Sequence, residues 1–338
     1  MRALGTTVAA VMLASVIQID RISILPLAAQ DRVAAVLADA KKALGGEQKV
    51  AGLKGLTAEG PFRRAMGGRD MEGVMTLTIV LPDKMRRVEE MAMGGMVGGP
   101  MIERTSVLAG TTAWDDMANR GGMGGGMQIV MRDGPGGGAG GGPAGGPGGG
   151  QSLTPEQLNE ARVRRMKVQM QRWLAALVTE GPQAWTDAGI AESPDGKADI
   201  LETKEDTGRV LRLFVDQATH LPLMVQYQDP KPMVMIAGGP GGPGGPGRGP
   251  GGGGRGGAGG GPPPMSPEEM QKRVEEMRKN PPALGTYAMH LSDYKKVDGV
   301  MLPHKIDISL DGQPNEEWTV EKYKVNPTIK ADTWLQKK

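Results

Sequence analysis

Two long stretches of this chain cannot contribute to a packed core, and they bound what the remainder can build. Residues 121–150 and 238–264 are dominated by glycine, with proline and alanine between. Glycine loses more backbone freedom on ordering than any other residue, and beyond the short apolar run at 127–131 these stretches hold little to bury in return. Both are expected to be disordered insertions. Without them and an N-terminal leader, roughly 240 residues remain, enough for one sizeable domain. Each tract is followed by a helix-start signal, Thr154-Pro155-Glu156-Gln157 and Ser266-Pro267-Glu268-Glu269, and then by strand-like segments. That shared order predicts a single domain over 30–338 with both tracts inserted into one sheet.

The leader is read from residues 1–29. Met1-Arg2 precedes an apolar run, Ala3 to Ile19, and a shorter piece, Ile22 to Leu27, ends in the small residues Ala28 and Ala29. This pattern predicts a signal peptide cleaved near Ala29, with an uncleaved membrane anchor as the alternative. Either way the chain is expected outside the cytoplasm, in the periplasm or beyond. No cysteine is present, which excludes disulfides, thiol catalysis and Cys-based metal sites. The formal net charge is only +2, and no long block of like charge points to nucleic acid.

Hydrophobic periodicity orders the rest. Val33, Val36, Leu37, Ala40 and Leu44 recur at helical spacing, and Gly45-Gly46 ends that helix. Alternation of period two then predicts strands at 71–81, 85–91, 103–108 and 111–115, a helix over 154–179, and strands at 198–204, 209–216 and 221–228. A helix at 266–279 and strands at 284–297, 300–310 and 316–325 complete the pattern, so the fold class is α+β and mainly antiparallel β. Met166, Met170, Trp173, Leu174 and Leu177 form the apolar stripe of the 154–179 helix. Arg162, Arg165 and Arg172 lie off it, on a face read as solvated or as touching anionic lipid head groups.

Catalytic motifs are missing from this pattern: no nucleophile elbow, phosphate loop or dinucleotide fingerprint stands between a strand and a helix. The protein is read as non-enzymatic and without a cofactor. His290 and His304 fall on adjacent strands, but two imidazoles alone make a poor metal site. Met91, Met93, Met96 and Met101 are candidate thioether ligands for Cu(I), weighed against a plain apolar role in a chain of 24 methionines. Arg248 and Arg255 lie in Gly-rich sequence without the aromatics that nucleic-acid stacking needs, so that stretch reads as a linker. Leu77, Ile79, Leu213, Val215, Leu302, Ile306 and Ile308 alternate with polar residues and are expected to line the apolar inner face of the sheet as the walls of a ligand cavity.

Four passages carry a family resemblance. They are Ala43-Leu44-Gly45-Gly46 with Val50 to Leu56; Pro82-Asp83-Lys84-Met85-Arg86; Phe214-Val215-Asp216 through Leu221-Pro222-Leu223; and Asp293 through Pro303, ending in Tyr323 and Val325-Asn326-Pro327. In this order they resemble the periplasmic lipoprotein-sorting carriers, the LolA/LolB-like proteins. The resemblance implies an antiparallel sheet curled into a half-barrel, with helices over its concave side and a cavity for acyl chains. It implies a lipid or the acyl chains of a lipoprotein as partner, and a carrier or chaperone role. Two other readings stay open: an interaction module on the same fold, with an envelope protein partner and peripheral membrane contact, and the Met-rich copper protein.

Overall fold

In the computed structural model, which describes residues 27–66, 69–92, 101–120, 154–177, 184–193, 196–232 and 283–336, every period-two segment joins one sheet. Among the described residues it has thirteen antiparallel strands: β1 (Gly55–Met66), β2 (Arg69–Val80), β3 (Lys84–Ala92), β4 (Met101–Ala109), β5 (Thr112–Arg120), β6 (Thr186–Ser193), β7 (Gly196–Lys204), β8 (Val210–Asp216), β9 (Pro222–Pro230), β10 (Leu284–Val297), β11 (Val300–Leu310), β12 (Gln313–Thr319) and β13 (Lys322–Val325). The helices are α1 (Leu27–Ala43), α2 (Glu47–Ala51) and α3 (Pro155–Ala176), with a 3-10 turn at Ala331–Trp334. The Gly-rich tracts and the helix expected at 266–279 lie outside the described residues.

The strand order is β5-β4-β3-β2-β1-β12-β11-β10-β9-β8-β7-β6, so two meanders meet where β1 pairs with β12. Short turns make most of these hairpins, whereas β9 and β10 are joined through residues 231–283. Asp298-Gly299 links β10 to β11 with φ of 50° and 91°, the pair of positive values that matches the twist of flanking strands. The stretch expected as one strand at 316–325 is two. The Val320 N–H donates to the His304 carbonyl on β11, and the Glu321 N–H to the Glu59 carbonyl on β1. The backbone changes partner between these residues, and Gly60 passes the break where a Cβ would stand 1.9 Å from the Thr319 carbonyl oxygen. Strand β6 lies at the sheet edge, and its mixed small and polar composition carried no strand signal.

The sheet is strongly curved, and α3 measures the curvature. Asn159 accepts the Ala113 N–H of β5 at 2.9 Å and donates to the Thr111 carbonyl. Further along the same helix, Arg172 holds Asp229 of β9. Strands β5 and β9 are eight positions apart in the sheet order, roughly 38 Å if flat, against the roughly 20 Å rise of helix between those two residues. Only a curled sheet brings both strands to one short helix. The architecture is an open, curved half-barrel with α3 across its concave side.

The concave face holds the core. Met75, Leu77, Ile79, Met85, Leu108, Leu213, Val225, Leu291, Ile306 and Trp318 are buried there, packed with Met166 and Met170 of α3. Helix α1 ends in a Schellman motif: the Gly46 N–H bonds the Lys41 carbonyl and the Gly45 N–H bonds Lys42. Gly45 has φ of 126°, and a Cβ there would lie 2.2 Å from the Gly299 carbonyl oxygen, so only glycine lets α1 dock on the β10–β11 turn. Among the described residues no helix is long and apolar enough to cross a membrane.

Candidate functional site

A cavity of about 670 Å³ lies between α3 and the concave face. That volume falls within the range of small-molecule sites. Its covering helix begins at a capping box in which Thr154 accepts the Gln157 N–H and Gln157 reaches back to the Thr154 N–H. From α3, Ala161, Arg164, Arg165, Val168, Gln169, Arg172 and Trp173 face the cavity. Their spacing is that of one helical face.

One wall is apolar and aromatic. Tyr227 of β9 and Tyr287 of β10 stack in parallel at 5.4 Å, and Met289 and Ile308 continue the surface. Trp173 closes it from above, edge-on to the buried Trp318 at 5.7 Å. The Arg172 guanidinium lies 3.8 Å from the centre of the Tyr227 ring, a cation–π contact that extends the stack. Its Nε donates to Glu205 at 2.7 Å and Nη1 to Asp229 at 2.8 Å. Burial, which disfavours the phenolate, pushes the Tyr227 hydroxyl well above its usual range.

The opposite wall is charged. Strand alternation turns Met85, Arg87, Glu89 and Met91 of β3 to one face, so an Arg and a Glu stand in the row that the outer two methionines mark as inner. Arg64 of β1 bonds Glu89 at 2.7 Å and, through Nε, Glu316 of β12 at 2.7 Å. Arg87 contacts the same two carboxylates at 2.6 and 3.1 Å. Burial opposes ionisation of Glu89, but the guanidiniums of Arg87 and Arg64 outweigh it and hold that carboxyl well below the usual range. Beyond this network, Arg104 and Ser106 of β4 line the cavity. Ser106 and Arg165 each donate to Asp115 at 2.7 Å.

Among the described residues, the lining contains seven arginines (64, 87, 104, 164, 165, 172 and 209) and four carboxylates (89, 206, 229 and 316), and Asp115 and Glu205 behind it pair with Arg165 and Arg172, which leaves a formal excess of one positive charge. The face of α3 expected to be solvated is, at Arg172, buried in an ion pair. Helical periodicity placed Arg172 off the apolar stripe but had no means of showing that a Glu from the β7–β8 turn and an Asp from β9 would meet it there.

The sequence-predicted inner-face residues divide. Leu77, Ile79, Leu213, Val215, Ile306 and Ile308 join the main core cluster, and Leu302 packs with Leu53, Leu56, Leu177 and Val300 in a second one. Of the seven, Ile308 lines the cavity. Met91 is buried in the core and Met101 is exposed at the start of β4, while Met93 and Met96 lie outside the described residues. The register sets His290 opposite Asp307, three residues from His304, so the two histidines are not brought together. His304 instead contacts the Val320 carbonyl at 2.7 Å. Among the described residues, no group of three or more His, Asp or Glu is placed to hold a metal.

No protein-family model and no curated protein matches the sequence. Solved structures do resemble the fold. A domain from Vibrio parahaemolyticus described as an outer membrane lipoprotein-sorting protein aligns at TM-score 0.40 and 9% identity, covering 91% of this chain and 96% of that one. A DUF1329 family protein from Desulfovibrio piger aligns at TM-score 0.40 and 10% identity, covering 90% and 97%. A LolA superfamily protein from Nitrosomonas europaea aligns at 0.36 and 9%, again covering 90% and 97%. Over nine-tenths of its length, the chain is thus similar to structures described as lipoprotein-sorting, LolA-superfamily and DUF1329 proteins.

Proposed function

We propose that the protein binds a hydrophobic or amphipathic small molecule of the lipid or acyl-chain class beneath α3, and carries it outside the cytoplasm without altering it. The observation that supports this most directly is the cavity of about 670 Å³, kept open between a curved sheet and its covering helix and walled on one side by Trp173, Tyr227, Tyr287, Met289 and Ile308. An interior built only for stability would fill such a volume, because each unfilled void forfeits dispersion contacts. The leader pattern at residues 1–29 supports the location.

The test is titration of the full mature chain with the neutral dye N-phenylnaphthylamine, whose emission rises in apolar surroundings. Saturable uptake at one site is expected. Ala161→Trp extends a large ring into the cavity from a half-buried position on α3, and should abolish uptake while the thermal midpoint holds. A wild type that takes up no dye up to ~100 µM overturns the reading.

A further inference from the structure

We propose that the cavity's occupant is an anionic amphiphile, its apolar body against the tyrosine wall and its oxyanion head, phosphate or carboxylate, held by Arg164 and Arg87. This rests on the binding reading above and specifies the chemistry of the ligand.

Charge placement carries it. Most arginines of the lining already have carboxylates: Arg64 and Arg87 share Glu89 and Glu316, Arg172 and Arg209 share Asp229, and Arg165 has Asp115. Arg164 faces the same cavity from α3, and no carboxylate among the described residues pairs with it. Arg87 faces the cavity from β3 with its side chain 20% exposed; its Nε is buried, so the donors it can turn to a ligand are those of its terminal nitrogens. A guanidinium fork suits the planar or tetrahedral oxygens of carboxylate and phosphate. A cationic ligand would meet the positive charge of Arg164, and a neutral one would leave that charge uncompensated.

The aromatic wall defines the other half of the ligand. The Tyr227–Tyr287 stack and Met289 present no charge of their own, and the Arg172 and Arg209 beside them are paired with Asp229, so the cavity offers an aromatic surface toward β9 and β10 and arginines toward β3 and β4. A free inorganic anion would use only the second half.

Calorimetric titration of the full chain with decyl phosphate, decanol and inorganic phosphate separates the outcomes. Decyl phosphate is expected to bind at least about tenfold more tightly than decanol, with a preference that shrinks as salt rises. Arg164 is exposed on α3, so Arg164→Glu should fold, which a melting curve verifies; it should cut that preference at least about fivefold, and Arg164→Lys should retain most of it. Equal affinities for decyl phosphate and decanol overturn this inference and leave the hydrophobe-binding reading standing. Inorganic phosphate binding as tightly as decyl phosphate also overturns it, reducing the site to a free-oxyanion site. Failure of both amphiphiles to bind removes the binding reading as well.

Discussion

The side chain of Glu89 is 4% exposed, and its carboxylate is bridged by two guanidiniums whose attraction outweighs the cost of burial. Its carboxyl is held below the unfolded value of about 4.3, so the stability it contributes is complete above that value and is lost as pH falls beneath it. The thermal midpoint should therefore drop on acidification from about pH 5 to about pH 3, and Glu89→Gln should flatten that drop. At neutral pH the same variant leaves Arg64 and Arg87 under-compensated and should cost about 3–5 kcal/mol by chemical denaturation. A wild type equally stable at both pH values would contradict the account. Parity placed Glu89 on the inner row of β3 with Met85 and Met91; of the partners that make the position tolerable, Arg64 comes from β1, and Glu316, which both arginines share, from β12 far away in sequence.

Helix α3 joins the two meanders and is fastened to both. Asn159 and Arg165 tie its first half to β5, and Arg172 ties its second half to Glu205 and Asp229. Glu205 is fully buried at its side chain, so Arg172→Met strands a carboxylate away from water and should destabilise by about 3–5 kcal/mol. Adding Glu205→Leu should restore most of that loss, because an apolar pair of similar volume avoids burying either charge. Urea denaturation of both single variants and the double variant measures the coupling. Purely additive effects would mean that the pair does not anchor the helix. Removing the anchor should also weaken dye uptake, since α3 forms the roof of the cavity.

Taken end to end, the sheet is open at β5 and β6, and its middle is the junction of β1 with β12. Local stability follows burial and pairing on both sides. Amide exchange is expected to be slowest in β1, β2, β11 and β12 and fastest in the edge strands, by orders of magnitude. Uniform protection across the sheet would show instead that it opens only as one unit. The junction also makes folding non-local: Phe62 must find Trp318, and Arg64 must find Glu316, before the two halves share one core.

Most of the elements were legible in the residues alone, because side-chain alternation, the Thr154 capping box, Gly45-Gly46 and the Asp-Gly turns act within a few residues. That Leu213 and Val215, or Ile306 and Ile308, share a buried face was legible for the same reason, since they repeat with the strand period. Which inner positions pack and which surround the cavity was not, for parity assigns a face and says nothing of what covers it. Of the inner-face candidates, Ile308 reaches the cavity while Ile306, two residues away on the same strand, sits opposite Trp318 in the core. The charged wall was hidden by the same gap. Arg64, Arg87, Glu89 and Glu316 come from three strands, brought together by the β1–β12 pairing and the sheet's curvature, and those are properties of long-range contact.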